Sequence, residues 1–340
     1  MYSFKNDYSE GAHQNIIDAM VKSNMEQTSG YGEDAYTEEA KNIIKQNIKD
    51  DSADIHFFVG GTQVNLTSIC AFLRPHEAAI AAETGHINVH ETGAIEATGH
   101  KVIPAFTEDG KLTKEIVQKV IDTHVDEHMV RPKLVYISNS TEIGTHYTLE
   151  ELEDLSVYCK NKGLILFMDG ARLGSALMTK DNKVTLEDCA RLTDAFYIGA
   201  TKNGAIMGEA LIITNENLKE DFRFIIKQRG ALLAKGRMLA IQFIELFRDN
   251  LYFDLAKHAN EMAALLSEGV KNAGYSCLAE SKTNQIFPIF PNDVLEKIRK
   301  EFDITIWEPS GDNQTVVRLV TSWATKKEEV ERFNNFIKRQ

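Results

Sequence analysis

Lys202 follows the β-rich run Asp194 to Thr201 and opens onto Asn203-Gly204-Ala205. A lysine at the end of a buried strand is poorly placed for solvent and well placed to hold an aldehyde through its amine. Upstream, a second apolar strand, Leu164 to Met168, ends in Asp169-Gly170-Ala171-Arg172. An Asp at one strand end and a Lys at a later one is the pairing that pyridoxal phosphate (PLP) needs. The amine takes the aldehyde, and the carboxylate keeps the pyridine nitrogen protonated so that the ring accepts electrons.

Other segments carry groups that fit such a site. Gly60-Gly61-Thr62-Gln63-Val64-Asn65 lies between a strand and a helix start, where glycines let backbone approach a phosphate and free N–H groups, with the Thr62 hydroxyl, can hold it. By itself a Gly-Gly-Thr turn is more often merely a turn. It is neither a Walker loop nor a GxGxxG fingerprint, which counts against a nucleotide and against a nicotinamide-dependent oxidoreductase. His86, in Glu83-Thr84-Gly85-His86, follows a strand and is expected to open a helix bearing His90, Glu91 and Glu96. Its imidazole could stack on a flat cofactor ring or simply satisfy the helix start. The i, i+4 spacing of His86 and His90 also suits a metal, but no HExxH pattern accompanies it, so no metal is assigned.

Arg318 interrupts the apolar strand Val316 to Trp323. A guanidinium there must be paired in a structural salt bridge or face a ligand, and its fork matches a substrate carboxylate. Asp169 and Arg172 could alternatively form a plain ion pair at a helix start. His128, in the polar stretch Asp126 to Arg131, reads as a solvated histidine, and Arg229 to Arg237 as a solvated cationic face or a phosphate clamp across a subunit interface.

Alternating segments must position these groups. A helix with Ile16, Ile17, Met20 and Val21 on one face is followed by a turn-rich loop, Thr28 to Asp34, and a helix over Thr37 to Ile48. Strands are expected at Ile55 to Val59, Ala78 to Ala82, Lys101 to Ile103, Lys133 to Ile137, Leu164 to Met168, Ala195 to Ile198 and Ala210 to Thr214, with helices between most of them, such as Thr113 to Thr123 and Leu149 to Cys159. This is an α/β pattern with a mainly parallel sheet, whose ligands bind where strands end. From about Glu216 to Lys271 the pattern is almost wholly helical. The division expected is a large PLP-binding domain over residues 1–245, including the N-terminal arm, and a small C-terminal α+β domain over 246–340.

Composition bounds the partners. With 340 residues, 43% hydrophobic and 26% charged, the chain is an ordinary globular one able to bury a substantial core. A net charge of −12 opposes generic binding to nucleic acid or an anionic membrane. Cys70, Cys159, Cys189 and Cys277 form no CxxC pair, which points to buried thiols in a reducing compartment. No apolar leader or membrane-spanning stretch is evident, so a cytoplasmic location is expected.

Together, Tyr31-Gly32-Glu33-Asp34, Gly61-Thr62-Gln63 with Asn65, His86-Ile87 with Glu91, Asp169-Gly170-Ala171-Arg172, Lys202, and Arg318-Leu319-Val320-Thr321 resemble the threonine aldolase and β-eliminating lyase family of fold-type I, aspartate aminotransferase-like PLP enzymes. The resemblance runs over nearly the whole chain and matches in order and spacing. It implies that Lys202 holds the cofactor, His86 stacks on its ring, Asp169 pairs with the pyridine nitrogen, and Gly61 and Thr62 bind its phosphate. It further implies that Arg172 contacts a ring oxygen or the substrate carboxylate, that Arg318 binds the α-carboxylate, that Asn6 and Tyr31 help hold substrate, and that His128 stands near the substrate hydroxyl. The activity implied is retro-aldol cleavage of a β-hydroxy-α-amino acid such as threonine or allo-threonine to glycine and an aldehyde. The alternatives are β-elimination on another amino acid and a PLP-binding protein without turnover. A homodimer or homotetramer with shared sites is implied as well.

Two departures fall near the expected site and bear on substrate choice. Where many aldolases carry Glu-Asn-Thr-His followed by Gly-Gly, this chain has Asn139-Ser140-Thr141-Glu142-Ile143-Gly144-Thr145-His146, and a glycine-rich stretch is replaced by Ala231-Leu232-Leu233-Ala234-Lys235-Gly236.

Overall fold

Seven strands make the central sheet, and their spatial order is Asp54–Phe58, Glu209–Ile213, Ala195–Gly199, Ile165–Asp169, Arg131–Ser138, Glu77–Ala82, Lys101–Ala105. The computed structural model describes all 340 residues. Only Glu209–Ile213 runs against its neighbours; the five strands from Ala195–Gly199 to Lys101–Ala105 pair in parallel. Glu77–Ala82, Ile165–Asp169, Ala195–Gly199 and Glu209–Ile213 are buried at every position. That explains why they read as unbroken apolar runs, since a sheet covered on both faces has no solvent side to alternate against.

Successive side chains of these strands feed two separate cores. Val135, Ile137, Leu166, Met168, Phe196 and Ile198 pack on one face. Leu134, Tyr136, Ile165, Phe167, Ala195 and Tyr197 pack on the other. The covering helices begin and end on local signals. Leu149–Lys162, for example, starts at a Thr148–Glu151 capping box and stops at Gly163, whose φ of 63° places it in the left-handed region that favours glycine.

The C-terminal part has its own antiparallel sheet, in which Gln314–Val320 lies between Ile289–Pro291 and Thr305–Pro309, with helices Asn292–Glu301 and Lys327–Ile337 packed against it. The 22-residue helix Leu251–Asn272 serves both parts. Its Tyr252 and Leu255 lie in the core of the large sheet, and its Met262, Leu266 and Val270 in the small one. The first residues of the N-terminal arm also pack with the small part: Tyr2–Ser3 pairs in parallel with Phe302–Asp303, and Phe4 is fully buried in the same cluster.

One expected element takes a different form. Only His86–Val89 is helical after the Glu77–Ala82 strand, and Glu96–Thr98 is a separate 3-10 turn. Gly93, with a φ of 71°, interrupts the path between them. His90 and Glu91 therefore lie on irregular backbone, which lets Glu91 turn inward.

Candidate active site

The parallel strands all end on one edge, and the antiparallel Glu209–Ile213 begins there because Glu209 pairs with both Phe58 and Gly199. This edge forms a cleft of about 390 Å³, lined by Gly61, Thr62, His86, Asp169, Arg172, Lys202 and Arg318 among others. Seven residues singled out in the sequence thus converge from four strand ends and the small sheet.

Asp169 forms the floor. It is 4% exposed and accepts hydrogen bonds from Tyr136, from Asn65 Nδ2 at 3.2 Å and from the Ala171 N–H at 2.9 Å. Burial alone would raise its carboxyl, but the His86 charge and the hydrogen bonds of Tyr136, Tyr197 and the Ala171 N–H outweigh burial and hold it below the usual carboxylate range. It is a buried carboxylate with no lysine or arginine paired to it, the arrangement a protonated ring nitrogen requires. Gly170 is needed beside it because a Cβ there would overlap the Tyr197 carbonyl of the neighbouring strand.

His86 opens the short helix and is oriented by Glu91, whose Oε1 lies 2.8 Å from Nδ1 and also accepts from Asn65 Nδ2 at 2.8 Å. Asn65 thereby links the histidine and Asp169 through one hydrogen-bonded chain. His86 and His90 have ring centroids 5.5 Å apart, but no group of three or more His, Cys, Asp or Glu side chains is arranged to hold a metal ion.

Gly61 starts the 12-residue helix Gly61–Phe72, and no side chain caps that end. Its first N–H groups are therefore free for an anion. The glycine is required by close approach, since a Cβ at 61 would lie 2.8 Å from the Tyr197 hydroxyl.

Lys202 emerges opposite His86. Burial and the nearby Arg172 charge push its ammonium below the usual lysine range, which favours the neutral amine that attacks an aldehyde. Next to it, Glu209 accepts from the Thr201 hydroxyl at 2.8 Å, while its other oxygen is buried without a partner. Burial pushes the Glu209 carboxyl up to about 8, which favours its neutral form.

Arg318 forms no salt bridge. Its guanidinium lies over the Trp307 ring, 5.5 Å from the centroid, and its buried Nε has no partner. The salt-bridge alternative read from the sequence is absent, leaving an unpaired cation facing the cleft.

Arg172 lines the cleft with one edge of its guanidinium clamped by Asp7, through Nε at 2.6 Å and Nη2 at 3.1 Å, which leaves the Nη1 side for a ligand. Two expectations need correction. Asn6 does not enter the cleft; it caps its own turn by accepting from the Tyr8 N–H and the Ser9 hydroxyl. The arm contributes Asp7 and Tyr8 instead. His128 is exposed in the turn before Arg131–Ser138. The cleft is at the other end of that strand, roughly 20 Å away at 3.3 Å per residue.

Tyr31 is likewise outside this chain's own cleft. With a φ of 60° it lies under Lys227, whose Nζ is 4.6 Å from the ring centroid. Arg237 is tied to its own chain, donating to the carbonyls of Glu26 and Asn24 at 2.8 and 3.4 Å. Sequence reasoning missed Asp7, Tyr8, Tyr136, Tyr197 and Glu209 as cleft or floor residues. Of these only Glu209 left a signal, as a carboxylate heading the apolar strand Glu209-Ala210-Leu211-Ile212-Ile213.

A lysine and a buried carboxylate at neighbouring strand ends, with an uncapped helix start beside them, on this sheet topology, define the fold-type I class of PLP-dependent enzymes. A double mutant of Thermus thermophilus aspartate aminotransferase shares that fold with a TM-score of 0.72 at 14% identity, over 97% of this chain and 89% of that one. Within the class, the chain belongs to the beta-eliminating lyase family, whose model matches residues 5–292. A solved structure of the Leishmania major threonine aldolase is similar with a TM-score of 0.99 and 52% identity, covering 100% of this chain and 99% of that one. The low specificity L-threonine aldolase of Pseudomonas aeruginosa is 32% identical over 333 residues, 96% of this chain and 94% of the relative.

Proposed function

We propose that this protein binds pyridoxal phosphate and cleaves a β-hydroxy-α-amino acid, threonine or allo-threonine, to glycine and an aldehyde. The observation that carries the reading is the unpaired Arg318 guanidinium facing a cleft whose floor is the anionic Asp169 and whose wall is Lys202. A small amino acid supplies the carboxylate that Arg318 lacks, and the relatives named as threonine aldolases support the choice of substrate.

The residues fit the cofactor. The free N–H groups at Gly61, with Thr62, would hold its phosphate, His86 would lie against its ring, Asp169 would meet the ring nitrogen, and Lys202 would hold the aldehyde. When bound, PLP supplies an electron sink for the pair released when a bond at Cα breaks. Arg318 fixes the α-carboxylate, which sets the rotation about Cα and so decides which bond stands perpendicular to the ring. Asp169 keeps its negative charge in place throughout, and Glu91 keeps the His86 ring from turning away.

We further propose a homodimer or a dimer of dimers, in which the Tyr31 loop of one chain approaches the cleft of another. Ile206 and Met207, exposed just beyond Lys202, support an apolar contact there. Four cysteines without disulfides support a reducing, cytoplasmic setting; no helix is long and apolar enough to cross a membrane. The test is to incubate the PLP-loaded protein with threonine, allo-threonine, phenylserine and tryptophan and identify the products. Glycine with the matching aldehyde is expected. Ammonia with a 2-oxo acid, and no aldehyde, would replace cleavage by β-elimination.

A further inference from the structure

The cleft has two walls separated by the Asp169 strand. Sheet order places Lys202, Thr201 and Glu209 on one side, and Ser138, Ser140, Glu142 and His86 on the other. Glu142, just beyond the end of Arg131–Ser138, belongs firmly to the His86 wall. Its Oε1 accepts from the His86 backbone N–H at 3.0 Å and from the Ser138 hydroxyl at 2.7 Å. Both bonds go to the same oxygen. No other residue donates to Oε2, which is not among the sealed polar atoms, and Glu142 lines the cleft.

No other acidic group in the cleft is free in this way. Both Asp169 oxygens are engaged by floor donors. Glu209 has one oxygen on Thr201 and the other sealed, and Asp7 is spent on Arg172 and Asn284. His86 is tied through Nδ1 to Glu91.

We propose that Glu142 is the catalytic residue that takes the proton from the substrate β-hydroxyl, an inference that rests on the cleavage reaction proposed above. With the substrate amine at the Lys202 side and its carboxylate on Arg318, Cα keeps two further substituents, its hydrogen and the hydroxyl-bearing Cβ, and cleavage requires that the one turned to the opposite wall be Cβ. There Oε2 accepts the hydroxyl proton as the O–H bond breaks. The oxygen's electrons form the aldehyde C=O, the Cα–Cβ bond breaks, and its electron pair stays with Cα. One proton is removed from oxygen and one is delivered to Cα, so glycine and aldehyde account for every atom of the substrate.

The surroundings suit a base. Burial pushes the Glu142 carboxyl up, the Ser138 hydrogen bond opposes this, and the Asp169 charge adds to the rise. The other titratable or charged groups facing it are His86, Arg172, Tyr136 and Tyr147. A carboxylate more basic than usual accepts a hydroxyl proton more readily.

Glycine provides the control, because it has no β-hydroxyl. Using the PLP-loaded full-length enzyme, threonine cleavage and exchange of the glycine Cα proton for deuterium would be measured in wild type, Glu142→Gln and Glu142→Asp. Loss of a general base predicts a fall in kcat for cleavage of about 100-fold or more in Glu142→Gln, with glycine exchange changed by less than about threefold. Glu142→Asp should recover part of the cleavage, and the acid limb of the wild-type kcat profile should be missing from the Gln variant. Equal loss of cleavage and exchange in Glu142→Gln, or full cleavage retained, would overturn the role of Glu142 alone. A wild-type enzyme that exchanges glycine but cleaves no β-hydroxy amino acid would overturn the proposed reaction and, with it, this role.

Discussion

Replacing Asp7 with alanine would remove the only counter-charge clamped to Arg172. The two side chains are 1% and 12% exposed, and Asn284 Nδ2 donates a further hydrogen bond to Asp7 at 2.9 Å. Burial would raise the Asp7 carboxyl, but the charges of Arg172 and Lys202, with the hydrogen bonds, hold it below the usual range. Removing one partner of such a buried pair costs about 3–5 kcal/mol, because the survivor keeps its charge without compensation. For 340 residues, an unfolding entropy of about 2.1 cal/mol/K per residue amounts to about 0.7 kcal/mol/K, so Tm should fall by about 4–7 °C. The sign with pH follows from the lowered value. Asp7 contributes above its unfolded pKa of 3.8, and the contribution is lost as pH falls through the still lower folded value. The gap between wild type and Asp7→Ala should therefore be full at pH 7 and close in acid. Differential scanning calorimetry across pH would measure it, with Asp7→Ala/Arg172→Met expected to recover much of the loss since neither charge is then stranded. A Tm within about 1 °C of wild type at pH 7 would refute the reasoning, because the pair would then not be the tie between the arm and the cleft.

Lys202→Ala should lose both turnover and the borohydride-sensitive visible band that PLP gives with the wild type; a covalent adduct mapped to another lysine would remove Lys202 from its role. Arg318→Lys keeps the charge but loses the two-pronged geometry, and at about 1.5–3 kcal/mol for hydrogen bonds to a charged group should raise KM for threonine by roughly 10- to 150-fold with a smaller effect on kcat. An unchanged KM would return Arg318 to a structural part stacked on Trp307. Glu209→Gln should be more stable than wild type at neutral pH. The Glu209 carboxyl is raised from 4.5 to about 8 by burial, so in wild type stability falls as pH rises between those values. The advantage of the amide should thus widen up to about pH 8 and then level off, which denaturant titrations at several pH values would detect.

Lys202 and Asp169 were legible in the sequence because each closes an apolar run too short for a helix and too buried to alternate. In a covered parallel sheet, such residues can only emerge at the strand ends. Arg318 was legible for a related reason, since a guanidinium within an otherwise apolar strand requires either a partner or a ligand. What periodicity cannot supply is contact between segments far apart in the chain. The clamp of Arg172 by Asp7 joins the N-terminal arm to a turn 165 residues later, and nothing local distinguished Asp7 from its neighbour Asn6. The strand before Asn139 was recognised, yet its direction decided that His128 at its start is remote while Glu142 beyond its end lies in the cleft. Glu142 and Glu209 differ little as sequence. Sheet order assigned them to opposite walls, and hydrogen bonding left one with an open oxygen and the other sealed. Local physics determined which residues sit at strand ends; tertiary packing decided which of them meet, and which are already taken.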